Sequence, residues 1–232
     1  MLTSLLWFAG VAALINVTPG LDTMLVLRTS VAHGRTGGRA AALGILTGCL
    51  AWGAATAVGL TALLTASRLA FDTLRIGGAI YLAWLGVSAL WTSRRRFAGK
   101  TAEDGEGAAD GGADAVVAAV AEDGSTDGSP RRGRRAAFRA GVATNLLNPK
   151  AGIFYMSLIP QFIPHGASVF GSTLLLTAVD VAELALWYWV VSHAASALGE
   201  RVRRPSFRRR MEQLSGVAFL GFAANLLLAE RA

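Results

Sequence analysis

Six stretches of this chain, about 5–27, 40–65, 69–92, 137–160, 169–195 and 213–229, are apolar enough to cross a bilayer as helices. Roughly 20 predominantly apolar residues suffice for one crossing. A backbone in hydrocarbon must also satisfy its own hydrogen bonds, which leaves the helix as the form open to such segments. The third stretch carries Asp72 and Arg75 near its start, and the sixth is short. Charge is segregated to match: only 16% of the residues are charged, against roughly 25% in typical globular chains. A large share of those charges falls in one interval, about 94–139. The pattern predicts an all-α integral membrane protein. Met1–Ala13 lacks the basic lead of a signal peptide and no small-residue cleavage site precedes a polar domain, so it reads as a retained helix.

The basic residues orient these spans. Arg28, Arg35 and Arg39 lie between the first two stretches. Arg94, Arg95, Arg96, Lys100, Arg131, Arg132, Arg134, Arg135 and Arg139 lie between the third and fourth. Arg201, Arg203, Arg204, Arg208, Arg209 and Arg210 lie between the fifth and sixth, which brings these three loops to 18 of the chain's 22 Lys and Arg. The other two loops hold only Arg68 between them. An excess of basic residues marks cytoplasmic loops, which places these three loops inside and both termini outside. Three spans make an odd half, so the second half enters the membrane from the opposite side. Residues 1–92 and 137–232 are therefore expected to form two inverted three-helix repeats, a plan shared by many secondary transporters. Residues 93–136 connect them. Glu103, Asp104, Glu106, Asp110, Asp114, Glu122, Asp123 and Asp127 are scattered there among Gly, Ala and Ser. Such a segment buries too little apolar surface to offset its ordering entropy. Disorder is expected, with a nascent helix around Ala113–Ala121 and basic ends attracted to anionic lipid headgroups.

Two of the spans carry matching interruptions. The first reads Asn16-Val17-Thr18-Pro19-Gly20-Leu21-Asp22 and the second Asn145-Leu146-Leu147-Asn148-Pro149-Lys150. Proline removes a backbone donor and clashes with the carbonyl four residues earlier. Inside a membrane the freed groups need protein partners or a water-lined cavity, and Asn16, Thr18, Asn145 and Asn148 are near enough to supply some of them. An unwound helix also offers amides at one new end, suited to a carboxylate, and carbonyls at the other, suited to an ammonium. Interrupted spans at corresponding positions of two halves point to a transporter's substrate site. A plain proline kink is the structural alternative.

Charges at membrane depth sharpen the site. Asp22 follows Pro19 by three residues and Lys150 follows Pro149 directly, while Asp180 and Glu183 share one face of the fifth span. Such groups are costly in lipid and tend to pair or to line a pathway. Lys150 is one of two lysines in an arginine-rich chain, and a desolvated lysine, unlike arginine, can shed its proton. Asp22, Lys150 and Asp180 are therefore candidates for substrate recognition or proton coupling, with Glu183 behind them. The alternative for Lys150 is a salt bridge to Asp22 or Asp180 that only holds the bundle together. Gly44 and Gly48 form a G-x-x-x-G pair, extended by Ala51 and Ala55, and Gly77, Gly78 and Gly86 thin the third span. Small residues let helices approach closely in lipid, within one chain or between protomers of a homo-oligomer.

Other chemistries find little support. A net charge of +7 can signal nucleic acid, but the basic residues flank apolar spans without interleaved aromatics or zinc ligands, so no nucleic acid is expected. Cys49 is the only cysteine and sits in an apolar run, where it reads as a small buried hydrophobe. Ala98-Gly99-Lys100-Thr101 ends like a phosphate-binding loop without the upstream glycine. Asn16-Val17-Thr18 matches a glycosylation acceptor but lies inside a span. His33, His165 and His193 have no ligand spacing. Neither an enzyme nor a cofactor or metal site is expected. A non-transporting scaffold remains the contrasting class.

At these motifs the chain resembles the lysine exporter (LysE/RhtB) family of small amino-acid efflux permeases. The likeness rests on Thr18-Pro19-Gly20-Leu21-Asp22 with Leu25-Val26-Leu27-Arg28, then Ala42-Leu43-Gly44 and Gly48. In the second half it rests on Gly141, Asn145-Leu146-Leu147-Asn148-Pro149-Lys150-Ala151 and Pro160-Gln161-Phe162. The family usually shows Pro-Gly-Pro at the first motif, and here Leu21 replaces the second proline. The resemblance covers all six spans and implies export of amino acids or close derivatives, driven by the proton-motive force across a bacterial inner membrane. Efflux of another small solute or cation by the same fold is the alternative.

Overall fold

A computed structural model describes residues 2–18, 20–67, 130–164 and 166–195, with further helical positions at 69, 70, 73, 76, 77, 80, 84, 87, 210, 213 and 217. Pro19, most of the third and sixth stretches, and the connector from 93 to 129 with its expected helix at 113–121 lie outside the described residues.

The regular elements are α1 (Leu2–Val17), α2 (Leu21–Ala66), α3 (Pro130–Leu147), α4 (Pro149–Ile153) and α5 (Val169–His193). A π-helical turn, Phe154–Leu158, and a 3-10 turn, Ile159–Phe162, continue α4. Both α2 and α5 are long and apolar enough to span a membrane. The 25 residues of α5 rise roughly 37 Å, more than the hydrocarbon core of about 30 Å. Helix α2 is two arms. It bends at His33 and Gly34, where Gly34 has φ 67 and ψ −173, a region that glycine alone occupies without strain. The first arm, 21–32, completes the first apolar stretch, and the second, 35–66, contains the next.

Helix α3 starts at Pro130, so residues 130–136, expected to lie in a disordered connector, are helical. Proline suits a first helical position and arginine is a good helix former. Hydropathy locates where a chain enters hydrocarbon, which need not be where its helix begins.

The two interrupted spans run in opposite directions. Leu2 and Leu5, at the start of the first, line one surface cleft with Phe162 and Pro164, at the end of the second. At the other end of the bundle, Gly133 approaches the His33 ring at the bend. Arg39 Nη2 meets His193 Nε2 at 2.8 Å at that same end. In between, Phe8 packs edge-on against Phe162 with ring centres 5.3 Å apart and lies 6.1 Å from Phe154.

Glycines set the close contacts. A side chain at Gly44 would run into the Phe138 carbonyl, one at Gly141 into the Ala41 carbonyl, and one at Gly48 into Asn145. The G-x-x-x-G pair thus serves α2 against α3 within the chain. Ala51 and Ala55 do not extend that face, because both are exposed. Gly53 continues the packing instead, against Thr177 of α5. Polarity is distributed as lipid demands. Thr144, Asn145, Thr173, Asp180 and Ser192 are buried, while Leu6, Trp7, Leu43, Val58 and Leu186 face outward.

Candidate functional site

Both interruptions are helix breaks, and at each the proline withholds an amide from the carbonyl four residues earlier. At the second, α3 ends at Leu147 and α4 begins with Pro149 at its first turn. Asn148 is extended, at φ −75 and ψ 110, and its Oδ1 accepts the Lys150 amide at 3.0 Å as an N-cap. Pro149 has no N–H to give to the Asn145 carbonyl. That carbonyl accepts instead from the Asn148 amide at 3.1 Å and from Trp52 Nε1 at 3.4 Å. The Trp52 ring reaches this spot because residue 152, on the next turn, is a glycine that leaves room for it.

The first break mirrors this chemistry. Helix α1 ends at Val17, the Thr18 hydroxyl folds back onto the Leu14 carbonyl at 2.9 Å, and α2 starts after Gly20 without a side-chain cap. Proline at position 19 likewise has no N–H for the Ile15 carbonyl. Lys150 Nζ, from the other break, donates to that carbonyl at 3.1 Å. Lys150 is therefore not tied up in a salt bridge: among the described residues no ion pair joins it to Asp22 or Asp180.

The two carboxylates are also held across the breaks. Asp22 Oδ2 accepts from Asn145 Nδ2 at 3.0 Å and from Asn148 Nδ2 at 3.3 Å, whereas its Oδ1 is buried with no donor. Asp180, only 1% exposed, uses both oxygens. Oδ1 accepts from Asn16 Nδ2 at 2.9 Å and Oδ2 from the Tyr155 hydroxyl at 2.7 Å. Each break thus lends its asparagines to a carboxylate beyond it. Charge-assisted bonds of this kind are roughly twice as strong as neutral ones, so they fix the relative position of the broken segments.

These groups surround one cavity of about 50 Å³. Among the residues picked out from sequence, Asn16, Thr18, Gly20, Asp22, Asn145, Asn148, Lys150 and Asp180 line it. Pro149 shapes the break without lining the cavity, Pro19 lies outside the described residues, and Glu183 is absent from the lining although it sits one turn from Asp180. The Glu183 Oε2 atom is buried without a donor.

Several lining residues escaped the sequence reading. Tyr155 is brought in by the π-helical turn, a distortion that often marks functional sites, and is 1% exposed. Cys49 is not merely a filler: its Sγ accepts from Asn145 Nδ2 at 3.4 Å. Thr23 and Tyr188 complete the wall, with Thr23 Oγ1 accepting from Trp187 Nε1 at 3.5 Å. A polar-tipped aromatic in the apolar run just beyond Asn-Pro-Lys was the available signal for Tyr155. Cys49 carried none.

Known proteins share this chain's plan along nearly its whole length. A family model described as LysE type translocator matches residues 13–230. The membrane protein YrhP of Bacillus subtilis (strain 168) is 26% identical over 219 residues, covering 94% of this chain and 96% of that protein. A leucine efflux protein of Enterobacter sp. (strain 638) is 29% identical, covering 93% and 90%. A homoserine/homoserine lactone efflux protein of Salmonella typhi is 26% identical, covering 97% and 98%. No solved structure matches.

Proposed function

Because this chain belongs to the LysE type translocator family, membrane transporters rather than enzymes, we propose that it exports an amino acid or a close derivative through the cavity between its two breaks. One observation carries the reading: two carboxylates and a lysine meet in a single cavity, Asp22 and Lys150 each bonded to the opposite interrupted span and Asp180, on α5, bonded to Asn16 of the first and to Tyr155 beyond the second break. Relatives named for leucine and for homoserine efflux support the substrate class. Ionisable groups at membrane depth mark substrate and proton pathways, so Asp22, Asp180 and Lys150 are the residues through which a proton gradient would drive export.

The architecture we infer is six spans in two inverted repeats, 1–92 and 137–232, with helix α3 reaching back into the 93–136 connector. The antiparallel course of the interrupted spans supports it. So does the gathering of His33, Arg39, Gly133 and His193 at one end of the bundle, beside the basic loops. That end faces the cytoplasm of a bacterial inner membrane in this reading, with Arg131, Arg134, Arg135 and Arg139, all exposed, level with anionic headgroups. Small-molecule sites measure about 300–1,000 Å³, so a cavity of about 50 Å³ is a contracted state that opens to one side or the other to take its substrate.

Lys150→Ala tests the function. The variant should insert at normal levels and lose efflux of a preloaded amino acid from cells or vesicles. Undiminished export would leave Lys150 with only its structural bond to Ile15.

A further inference from the structure

We infer that the cavity recognises a zwitterion with an uncharged, apolar side chain, taking its ammonium group at Asp22 Oδ1 and its carboxylate at Lys150 Nζ. This deepens the amino-acid export reading and rests on it. The partners already present decide the matter. The cavity has four carboxylate oxygens, on Asp22 and Asp180. Both oxygens of Asp180 already accept, from Asn16 and Tyr155, and Asp22 Oδ2 accepts twice, from Asn145 and Asn148. Asp22 Oδ1 alone is buried without a donor. The cavity therefore has one carboxylate oxygen without a donor for a ligand cation; Asn145 Oδ1 is likewise without a donor but is a neutral amide oxygen, so a second cation on the side chain would meet no carboxylate oxygen without a donor. Glu183 Oε2 is also without a donor, but Glu183 does not line the cavity.

The opposite charge is equally limited. An ammonium has three donors, and Lys150 Nζ gives one to the Ile15 carbonyl at 3.1 Å, leaving two for a carboxylate. Lys150 Nζ lies 3.8 Å from where a side chain at Gly20 would begin. That places it beside the uncapped N-terminus of α2, whose partial positive charge acts in the same direction. Beside the polar groups of Thr18, Thr23, Cys49 and Tyr155, the wall carries an apolar and aromatic stretch of Ile15, Ala151, Phe154, Leu184 and Tyr188. Such a stretch rewards an aliphatic side chain and leaves a charged one desolvated and unpaired.

The test uses the full-length protein in lipid nanodiscs for binding, by thermal shift or competition, and in proteoliposomes for export. Four probes read the two ends and the side chain: leucine, leucinamide without the carboxylate, isocaproate without the ammonium, and lysine. Leucine should bind about tenfold or more tightly than each of the others, the loss expected for one charged hydrogen bond. Lys150→Gln should erase the preference for leucine over leucinamide and keep that over isocaproate, and Asp22→Asn should do the reverse. An exchange of those two patterns overturns the orientation. Lysine bound or exported as well as leucine overturns the side-chain selectivity while leaving amino-acid export standing. Absence of binding and export for every amino acid tried removes the export reading itself. The wild-type series decides the selectivity even if a variant fails to insert.

Discussion

A matched pair of glycine substitutions on one helix separates packing at the site from ordinary helix stability. At Gly48 a new Cβ would lie 2.9 Å from Asn145 Cβ and 3.0 Å from its Cγ, where ordinary contact is 3.4–4 Å. Either α2 and α3 part by roughly half to one ångström, or Asn145 turns away; overpacking of this order costs about 1–3 kcal/mol. At Gly59, on the same helix, a Cβ meets nothing within 4 Å. Both changes gain the same alanine preference, about 1 kcal/mol, so that contribution cancels between them. Gly59→Ala should therefore exceed Gly48→Ala in stability by about 1–3 kcal/mol. The functional gap should be wider, because Asn145 is the 3.0 Å donor to Asp22. A hydrogen bond to a charged group contributes about 1.5–3 kcal/mol, so losing it implies roughly a ten- to hundredfold slower efflux. The assay is melting of the purified proteins in detergent, together with export of a preloaded labelled amino acid at matched membrane levels. If Gly48→Ala melts and exports like Gly59→Ala, the glycine does not seat Asn145 and the reasoning is wrong.

Three further substitutions probe the pieces separately. Tyr155→Phe removes the donor to Asp180 Oδ2 at a cost of about 1.5–3 kcal/mol and should slow export at least several-fold; wild-type rates would show that the π-helical turn serves packing alone. Asn148→Ala removes the cap of α4 and one of the two donors to Asp22. It should lower stability by about 1 kcal/mol and weaken substrate binding as well, whereas a loss of stability alone would confine Asn148 to the cap. Gly34→Ala forces a side chain onto a backbone at φ 67 and ψ −173, a strain of about 1–3 kcal/mol. Reduced melting temperature or membrane level should follow with little change in substrate preference, and a variant as stable as wild type would refute the tight bend.

The sequence made the breaks legible because proline acts locally. Missing N–H groups and nearby asparagines can be read without a fold, and so can the G-x-x-x-G pair. What lay beyond reading was where distant groups meet. Nothing in sequence links Trp52 to the Asn145 carbonyl, Cys49 to the Asn145 amide, or Lys150 to the Ile15 carbonyl, and each of those depends on helix register. The expectation that Ala51 and Ala55 continue the Gly44 and Gly48 face failed for the same reason. A period of four residues drifts around a helix that turns every 3.6, and Gly53 carries the contact to α5 instead. Residues 130–136 were expected to be disordered and are helical, because composition reports solvation, while a helix needs only propensity and a start signal.

The prolines and the charges form one device. Each proline frees a carbonyl inside the bundle, and the carbonyl at the first break is satisfied by the ammonium group of the second. In the proposed binding mode a substrate carboxylate would join the Ile15 carbonyl on the Lys150 ammonium that ties the two breaks together, and a substrate ammonium would meet a carboxylate positioned by Asn145 and Asn148. Binding at either end therefore bears on the contacts between the interrupted spans, which is the coupling that a gated carrier requires. A ligand shifts a conformational equilibrium only through contacts that differ between the states. In the proposed binding mode the contacts that a substrate would alter are the Lys150 bond to Ile15 and the free oxygen of Asp22. A substrate that engages only one of them should bind without promoting export, which sets leucinamide and isocaproate as occupants and leucine as cargo.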